Sequence, residues 1–409
     1  MKVVKLSRIA VAAGLAFFVS IGIVHECRAQ ERTFEELKTE AQARADRNAY
    51  PLIGLKPEEV REALGRLNSL DPDDWAASWT AIGDRYASKA HEEKSSPASA
   101  DKDFIQAWLY YTMGRWPVPI STGKQKAYEK AVEAYLEHGR LLDPPLDVVH
   151  IPFEGKEVIA YAQMPKGVKS PPVVVAIGGI DSRKEDMAER FRPMLACGIG
   201  YLALDPPGGG QAPIKAAPGA ERMLVRALDY VFERPDVDKS RVVIYGSSLG
   251  GMWSTLLAAT EKDRVRAVVS QSPPIHETFA RARTMNLPHN REYLFDFVQA
   301  QLFMYEGATN LETLAAVRES MSLKTRGFLD KPMAPLFVIG GVVDSQVPIA
   351  DIDLLLHSGQ TPKEAWINPL GGHIGRDAKN WSDQKIFDRV TMPWLLRAVG
   401  ADTCSIAAK

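Results

Sequence analysis

The chain has 409 residues, of which 45% are hydrophobic and 25% are charged, and these fractions exclude a disordered or collagen-like protein. Lysine plus arginine (50 residues) nearly balances aspartate plus glutamate (51 residues). Because no basic stripe recurs along the chain, we expect neither nucleic acid nor an anionic membrane surface to be its partner.

Residues 1–29 have the pattern of a signal peptide. Three basic residues precede an apolar run from Ile9 to Val24. Cys27 and Ala29 then supply small residues at the −3 and −1 positions of a signal-peptidase cleavage site after Ala29. An uncleaved anchor is the alternative, although the run is shorter than the ~20 residues that a membrane span requires. We therefore expect a periplasmic or secreted chain that begins at Gln30 and has no stable membrane insertion.

Two cysteines remain in the mature chain, Cys197 and Cys404. An oxidising compartment permits a disulfide between them, but nothing in the sequence requires one. Neither has the neighbouring histidines of a zinc site, so we predict no metal and no cofactor.

Residues 30–145 are predicted to be an N-terminal helical region. Thr33 begins a capping-box pattern with Glu36, and Asp71 begins a second helix in which aromatic residues recur at helical spacing. The polar stretch from Ser95 to Asp101 predicts a break between helices.

From residue 146 the period changes to that of strands. Two strands surround a turn at Phe153, and a fully apolar run follows at Val173–Ile177, as in a strand that is buried on both faces. Strand and helix patterns then alternate, which predicts an α/β fold with a mainly parallel, doubly wound sheet. This core is assigned to residues 146–274 and 331–409. The further predicted strands are Gly200–Leu204, Arg241–Tyr245, Val265–Ser270, Leu336–Ile339 and Glu364–Ile367.

Residues 275–330 are too long a connection for one crossover. They contain three helical patterns, at Glu277–Arg283, Arg291–Tyr305 and Leu311–Met321. We therefore predict a helical cap insertion between two strands of the core.

The sequence Gly246-Ser-Ser-Leu-Gly250 follows a predicted strand and precedes an apolar helix. In that setting G-x-S-x-G is typical of a nucleophile elbow, which presents the serine at the carboxyl end of the sheet. Only Ser248 fits the register, because Tyr245 occupies the position where Ser247 would need a glycine.

A serine needs a base, and the fold predicts the order serine, acid, histidine. His373 lies in a glycine-rich loop after the last predicted strand, and Asp344 follows the strand before it. We therefore predict His373 as the base and Asp344 as its acid partner. Asp351 and Asp353 lie beyond, where the pattern becomes helical, and are expected to face solvent. The other histidines lie before the nucleophile, in the insertion or in a helical stretch: His91, His138, His150, His276, His289 and His357.

Two backbone N–H groups are expected to form an oxyanion hole. One belongs to Leu249, and the other to Gly179 or Ile180, in the loop after Val173–Ile177. The next residue, Asp181, is either a helix-end residue before a capping box at Ser182–Glu185 or a carboxyl group that reaches the substrate.

These segments together resemble the α/β-hydrolase superfamily. The segments that carry the resemblance are residues 172–185, 204–211 and 237–251, with the loops of Asp344 and His373. More narrowly, they are similar to the esterases like the fermentation/respiration switch protein and to the C–C hydrolases like 2,6-dihydroxypseudooxynicotine hydrolase. The resemblance implies that the N-terminal helices form a lid and that an acid at Asp181 assists carbon–carbon cleavage. A cytoplasmic signalling partner is not expected, given the signal peptide.

The sequence thus predicts an exported serine hydrolase that cleaves a small acyl substrate, either a carboxylic ester or a C–C bond next to a ketone. A serine peptidase of the prolyl-oligopeptidase type and a non-catalytic binding protein with the hydrolase fold are the alternatives. A homodimer and a monomer are both compatible with the sequence.

Overall fold

An eight-stranded sheet forms the centre of the computed structural model, which describes residues 32–92, 96–401 and 404. The strand order is β1-β2-β4-β3-β5-β6-β7-β8, with β1 and β2 antiparallel to their neighbours and the remaining pairs parallel. The predicted mainly parallel α/β sheet is therefore confirmed. The strands are β1 Asp147–Phe153, β2 Lys156–Gln163, β3 Val173–Ile177, β4 Gly200–Leu204, β5 Val242–Ser247, β6 Ala267–Gln271, β7 Leu336–Gly341 and β8 Lys363–Asn368.

Both faces of the sheet are covered by helices. Along β3, alternate residues belong to two different apolar cores, with Val173 and Val175 in one and Val174 in the other. The first core includes α7 (Glu221–Glu233), α8 (Leu249–Thr260) and α12 (Ile349–His357), and the second includes α6 (Lys184–Phe191) and α14 (Met392–Ala398), which follows the short α13 (Asp383–Ile386).

Five helices precede the sheet, as the sequence predicts for residues 30–145. They are α1 Phe34–Asp46, α2 Pro57–Arg66, α3 Pro72–Glu92, α4 Pro97–Arg115 and α5 Thr122–Leu141. The Thr33–Glu36 capping box is present in both directions. The predicted break between helices is present, because α3 ends at Glu92 and α4 begins at Pro97, but it does not extend to Asp101. A proline in the first turn of a helix lacks only an N–H that the helix does not use.

The predicted signal peptide, residues 1–29, lies outside the described residues. None of the helices within 32–92 and 96–401 is long and apolar enough to cross a bilayer.

The insertion between β6 and β7 contains α9 (Arg281–Met285), α10 (Phe297–Met304) and α11 (Leu311–Ser320). The predicted helix at Arg291–Tyr305 is wrong in its first half, since α10 begins only at Phe297. The Asn290 side chain accepts hydrogen bonds from the backbone N–H groups of Glu292 and Tyr293, both at 3.1 Å. Such an Asx turn competes with helical hydrogen bonding and keeps this segment irregular.

Asp351, expected at the surface, is completely buried in α12, and the expectation is wrong. Its carboxylate accepts four backbone N–H bonds and one hydroxyl bond from the start of the insertion. The donors are the N–H groups of Ile275, His276, Glu277 and Thr278 and the Thr278 hydroxyl, at 2.6–3.0 Å. Asp351 therefore fixes the point where the insertion leaves the sheet.

We expect Asp351→Asn to lower the free energy of unfolding by about 2 kcal/mol, because hydrogen bonds to a charged acceptor contribute ~1.5–3 kcal/mol each. The NH₂ group of asparagine would also face backbone N–H groups, and two donors cannot bond to each other. Asp353→Asn is the matched control, since Asp353 is exposed two residues later in the same helix. Chemical denaturation would measure both variants. Equal stability of the two would contradict an anchoring role for Asp351.

A disulfide joins Cys197 to Cys404, with Cα atoms 5.5 Å apart. Cys197 ends the 3₁₀ helix Arg192–Cys197 before β4, so the bond ties the end of the chain to the core. The pairing that the sequence leaves open is thus made in the structure.

Candidate active site

Ser248 lies at the sharp turn between β5 and α8. Its backbone has φ 55° and ψ −122°, a conformation that residues with a side chain rarely adopt. Its N–H donates to the Gln271 carbonyl at the end of β6, at 2.8 Å. The surrounding strands therefore hold the turn that points the hydroxyl away from the sheet.

The two glycines of the motif are required by close packing. A Cβ at Gly246 would lie 2.0 Å from the Gly250 carbonyl oxygen, and one at Gly250 would lie 2.4 Å from the carbonyl oxygens of Ile177 and Gly178. Any side chain at either position would force the elbow apart, which explains the spacing of G-x-S-x-G.

His373 and Asp344 complete a chain of hydrogen bonds from Ser248. The distance from His373 Nε2 to Ser248 Oγ is 2.9 Å, and that from His373 Nδ1 to Asp344 Oδ2 is also 2.9 Å. The other oxygen of Asp344 accepts the N–H groups of Gln346 and Val347, both at 2.8 Å. The structure thus brings together the three residues that the sequence selected from three separate loops.

The electrostatics of the pair suit proton transfer. Burial lowers the pKa of the His373 imidazole, but the charge and hydrogen bond of Asp344 outweigh burial and raise that pKa above its ordinary value. Burial raises the pKa of Asp344, but His373 and the two N–H donors outweigh it and hold the pKa below its ordinary value. Asp344 therefore stays ionised and stabilises an imidazolium at position 373.

The loop after β3 lies against the nucleophile. A Cβ at Gly179 would lie 3.2 Å from the Ser248 Cβ, so a side chain at this position would crowd the nucleophile. Leu249 begins α8 on the other side of Ser248. Gly179 and Leu249 therefore flank Ser248, and Ile180 lines the same cavity.

Asp181 contacts the segment that follows α4 in the N-terminal helical region. Its Oδ2 accepts a hydrogen bond from the Trp116 indole N–H at 3.2 Å. The predicted capping box at Ser182–Glu185 is wrong by one residue, because the helix begins at Lys184 and the Arg183 N–H donates to Asp186 at 2.7 Å. Burial raises the pKa of the Asp181 carboxyl, although Arg183 opposes the shift.

A cavity of about 480 Å³ extends from Ser248 and His373. Both the N-terminal helices and the insertion contribute to its wall, and most of the contributed side chains are apolar or aromatic. These include Tyr50, Leu55, Met113, Trp116, Tyr293 and Phe297, while Asp181, Gln346 and Arg376 are among the polar ones.

Two polar residues of the site were not predicted. The Gln271 side chain donates to the Ile374 carbonyl at 2.8 Å, next to His373. Glu292, in the insertion, accepts from the His373 N–H at 3.0 Å. The final residue of a strand and one glutamate in a long insertion carry no motif, so no sequence signal identifies either.

Among the described residues, no group of three or more histidine, cysteine, aspartate or glutamate side chains is arranged to hold a metal ion.

Comparison with known proteins gives one family. The sequence model of the family described as "Esterase FrsA-like" matches residues 66–369. A protein named Esterase FrsA from Vibrio vulnificus is 28% identical over 283 residues, which are 68% of this chain and 67% of that relative. Another Esterase FrsA, from Vibrio parahaemolyticus, is 25% identical over 334 residues, which are 76% of this chain and 79% of that relative.

Solved structures share the architecture of the chain. The 2,6-dihydroxy-pseudo-oxynicotine hydrolase matches with a TM-score of 0.71 at 20% identity, over 88% of this chain and 95% of that one. Wild-type AbyA5 matches with a TM-score of 0.70 at 20% identity, over 90% of this chain and 95% of that one. At this identity the likeness concerns the fold, including the helices that precede the sheet.

Proposed function

The chain belongs to the FrsA-like esterase family and is a hydrolase with the α/β-hydrolase fold, and from that premise we propose that Ser248, His373 and Asp344 are its catalytic triad. The observation that supports this most directly is the pair of 2.9 Å contacts that links the three side chains in order. Such a chain activates a serine that would otherwise be a poor nucleophile.

The reaction then proceeds through an acyl-enzyme. His373 Nε2 takes the proton of Ser248 as Oγ attacks the substrate carbonyl carbon. The N–H groups of Leu249 and of Ile180 or Gly179 stabilise the oxyanion that forms. The carbonyl re-forms as the leaving group departs with the proton of His373, and water, activated by the same imidazole, releases the acid and regenerates Ser248.

The substrate is a small acyl compound with an apolar body, because the cavity holds about 480 Å³ and the side chains that the N-terminal helices and the insertion contribute to its wall are mostly apolar or aromatic. An ester needs only the triad and the oxyanion hole. Asp181 favours a second possibility, cleavage of a carbon–carbon bond next to a ketone, because a half-buried carboxyl of raised pKa can hydrogen-bond an enol leaving group. The relatives above carry the names of an esterase and of a hydrolase, in line with either bond.

A substrate panel tests this proposal. The purified mature chain should hydrolyse activated esters of short acyl acids, 1,3-diketones or both, with rates that fall as the acyl chain outgrows the cavity. It should also be labelled by a fluorophosphonate. If the folded protein neither hydrolyses any member of the panel nor reacts with the fluorophosphonate, the serine hydrolase proposal is wrong.

We propose further that the protein is exported. The signal peptide pattern in residues 1–29 supports this, as does the Cys197–Cys404 disulfide, since such bonds persist in oxidising compartments. Protein recovered from the periplasmic or culture fraction should begin at Gln30, and alkylation without a reductant should modify neither cysteine. An intact Met1 on material from the cytoplasm would contradict export.

A further inference from the structure

We propose that Glu292 is a positioning residue, which holds the loops of Asp344 and His373 at their working separation. The proposal rests on the catalytic triad proposed above. It assigns a role to a residue of the cap insertion that takes no part in the chemistry itself.

The backbone around Glu292 is fixed by the N-terminal part of the chain. We call residues 290–294 the strap. Arg32 donates to the Tyr293 and Leu294 carbonyls at 2.8 and 2.9 Å and also to the Arg291 carbonyl. Arg44, in α1, donates to the carbonyl of Glu292 itself at 3.1 Å. With the Asx turn of Asn290, these bonds give the strap a defined position without helical structure.

The Glu292 carboxylate then bridges the two loops that carry the base and the acid. Oε1 accepts the backbone N–H of His373 at 3.0 Å, and Oε2 accepts the hydroxyl of Ser345 at 2.6 Å. Ser345 directly follows Asp344 in the chain. One side chain therefore contacts the backbone of the base and the neighbour of the acid at the same time.

This bridge matters because the loops belong to different strands. Asp344 follows β7 and His373 follows β8, and the contact between their side chains requires the loops to stay in register. Arg283, also in the insertion, donates to the Ser345 carbonyl at 3.2 Å, which adds a second link from the cap to the acid loop. Loss of the Glu292 bridge allows the loops to separate, and displacements near 1 Å cost ~10²-fold in rate.

Glu292 also acts on His373 by charge. The charged groups around the imidazole are Asp344 in its loop, Glu292 in the strap, Arg376 in the same loop and Asp383 in α13. Glu292 raises the pKa of His373 and Arg376 lowers it, after the larger effects of burial and Asp344. Because the base must be neutral to accept a proton, removing the charge of Glu292 should extend activity to lower pH.

The test compares Glu292→Gln, Glu292→Ala and a control, Glu319→Gln, which removes the same charge from an exposed position in α11. The rate of labelling by a fluorophosphonate is measured against pH, since this probe needs the triad but no knowledge of the substrate. For the wild type, the acidic midpoint should lie above the ordinary value of ~6.5.

We expect Glu292→Gln to move that midpoint down by about half a pH unit, as one charge near a partly buried imidazole does. Glu292→Ala should lose the contacts with His373 and Ser345 and lower the plateau rate by more than ~10-fold. Glu292→Gln should retain much of the wild-type plateau rate, because its amide oxygen can still accept the N–H of His373. Glu319→Gln should match the wild type in both respects.

An unchanged plateau in folded Glu292→Ala would overturn the positioning role, and an unchanged midpoint in Glu292→Gln would overturn the effect of its charge on His373. If the alanine variant fails to fold, the midpoint of the glutamine variant decides alone: a downward shift supports the role, and no shift overturns it. If the folded wild type is not labelled at any pH, the triad itself is refuted. If the wild type is labelled and the Glu292 variants behave as it does, only the role of Glu292 is refuted.

Discussion

A Ser248→Ala variant is expected to lose fluorophosphonate labelling completely and to lose turnover of every ester that the wild type accepts. The physical reason is that no other hydroxyl lies within hydrogen-bond distance of His373 Nε2 among the described residues, where Ser248 Oγ is at 2.9 Å. In a serine protease that uses a Ser-His-Asp triad, removing the nucleophile lowers kcat by about 10⁶-fold. The measurement is the initial rate with an activated ester at enzyme concentrations high enough to resolve such a loss.

Ser247→Ala is the matched control for this experiment. Ser247 is the last residue of β5 and also borders the cavity, but it precedes the elbow, and His373 Nε2 contacts the hydroxyl of Ser248 instead. Its replacement should leave labelling intact. Equal labelling of Ser248→Ala and the wild type, or loss of labelling in Ser247→Ala alone, would contradict the assignment of the nucleophile.

The second large effect concerns Asp181 and separates the two kinds of leaving group. We expect Asp181→Asn to reduce diketone cleavage by more than ~10²-fold, if that is the native reaction, because a positioned general acid contributes ~10²–10⁴-fold where a step needs one. An amide retains the contact with Trp116 but has no acidic proton to share with an enol. Hydrolysis of a simple activated ester should stay within about tenfold, since His373 can protonate an alkoxide unaided.

The thermal midpoint of Asp181→Asn should be measured in parallel. Asp181 lies two residues before the N-cap of α6, where loss of a charge costs ~0.3–1 kcal/mol at most sites. Equal loss of both activities at unchanged stability would exclude a selective role for the carboxyl. If neither activity falls, Asp181 serves only as the hydrogen-bond partner of Trp116, and ester cleavage becomes the preferred function.

The sequence predicts those parts of the molecule that local patterns encode. The apolar run of β3 is typical of a strand buried on both faces, and the elbow around Ser248 requires glycine at two positions by packing alone. The order serine, acid, histidine then identifies Asp344 and His373, because each follows its own strand at the same edge of the sheet.

Contacts between distant segments are not encoded in this way. Asp351 looks like an ordinary surface carboxylate of an amphipathic helix, and only the folded chain brings the start of the insertion onto it. Similarly, the side chain of Asn290 stops a helix that the periodicity of Arg291–Tyr305 favours. Glu292 acquires its partners only because arginines near the N-terminus fix the strap more than 240 residues away in the chain.

The disulfide has a topological consequence. Cys197 and Cys404 are 207 residues apart in the sequence, and Ser248, Asp344, His373 and the whole insertion lie between them. A protease that cuts one peptide bond anywhere in that stretch therefore releases no fragment, because the two pieces remain covalently joined through sulfur. Nicked protein should migrate as one band on a non-reducing gel and as two bands after reduction, so the ring keeps the catalytic residues on one covalent molecule after cleavage.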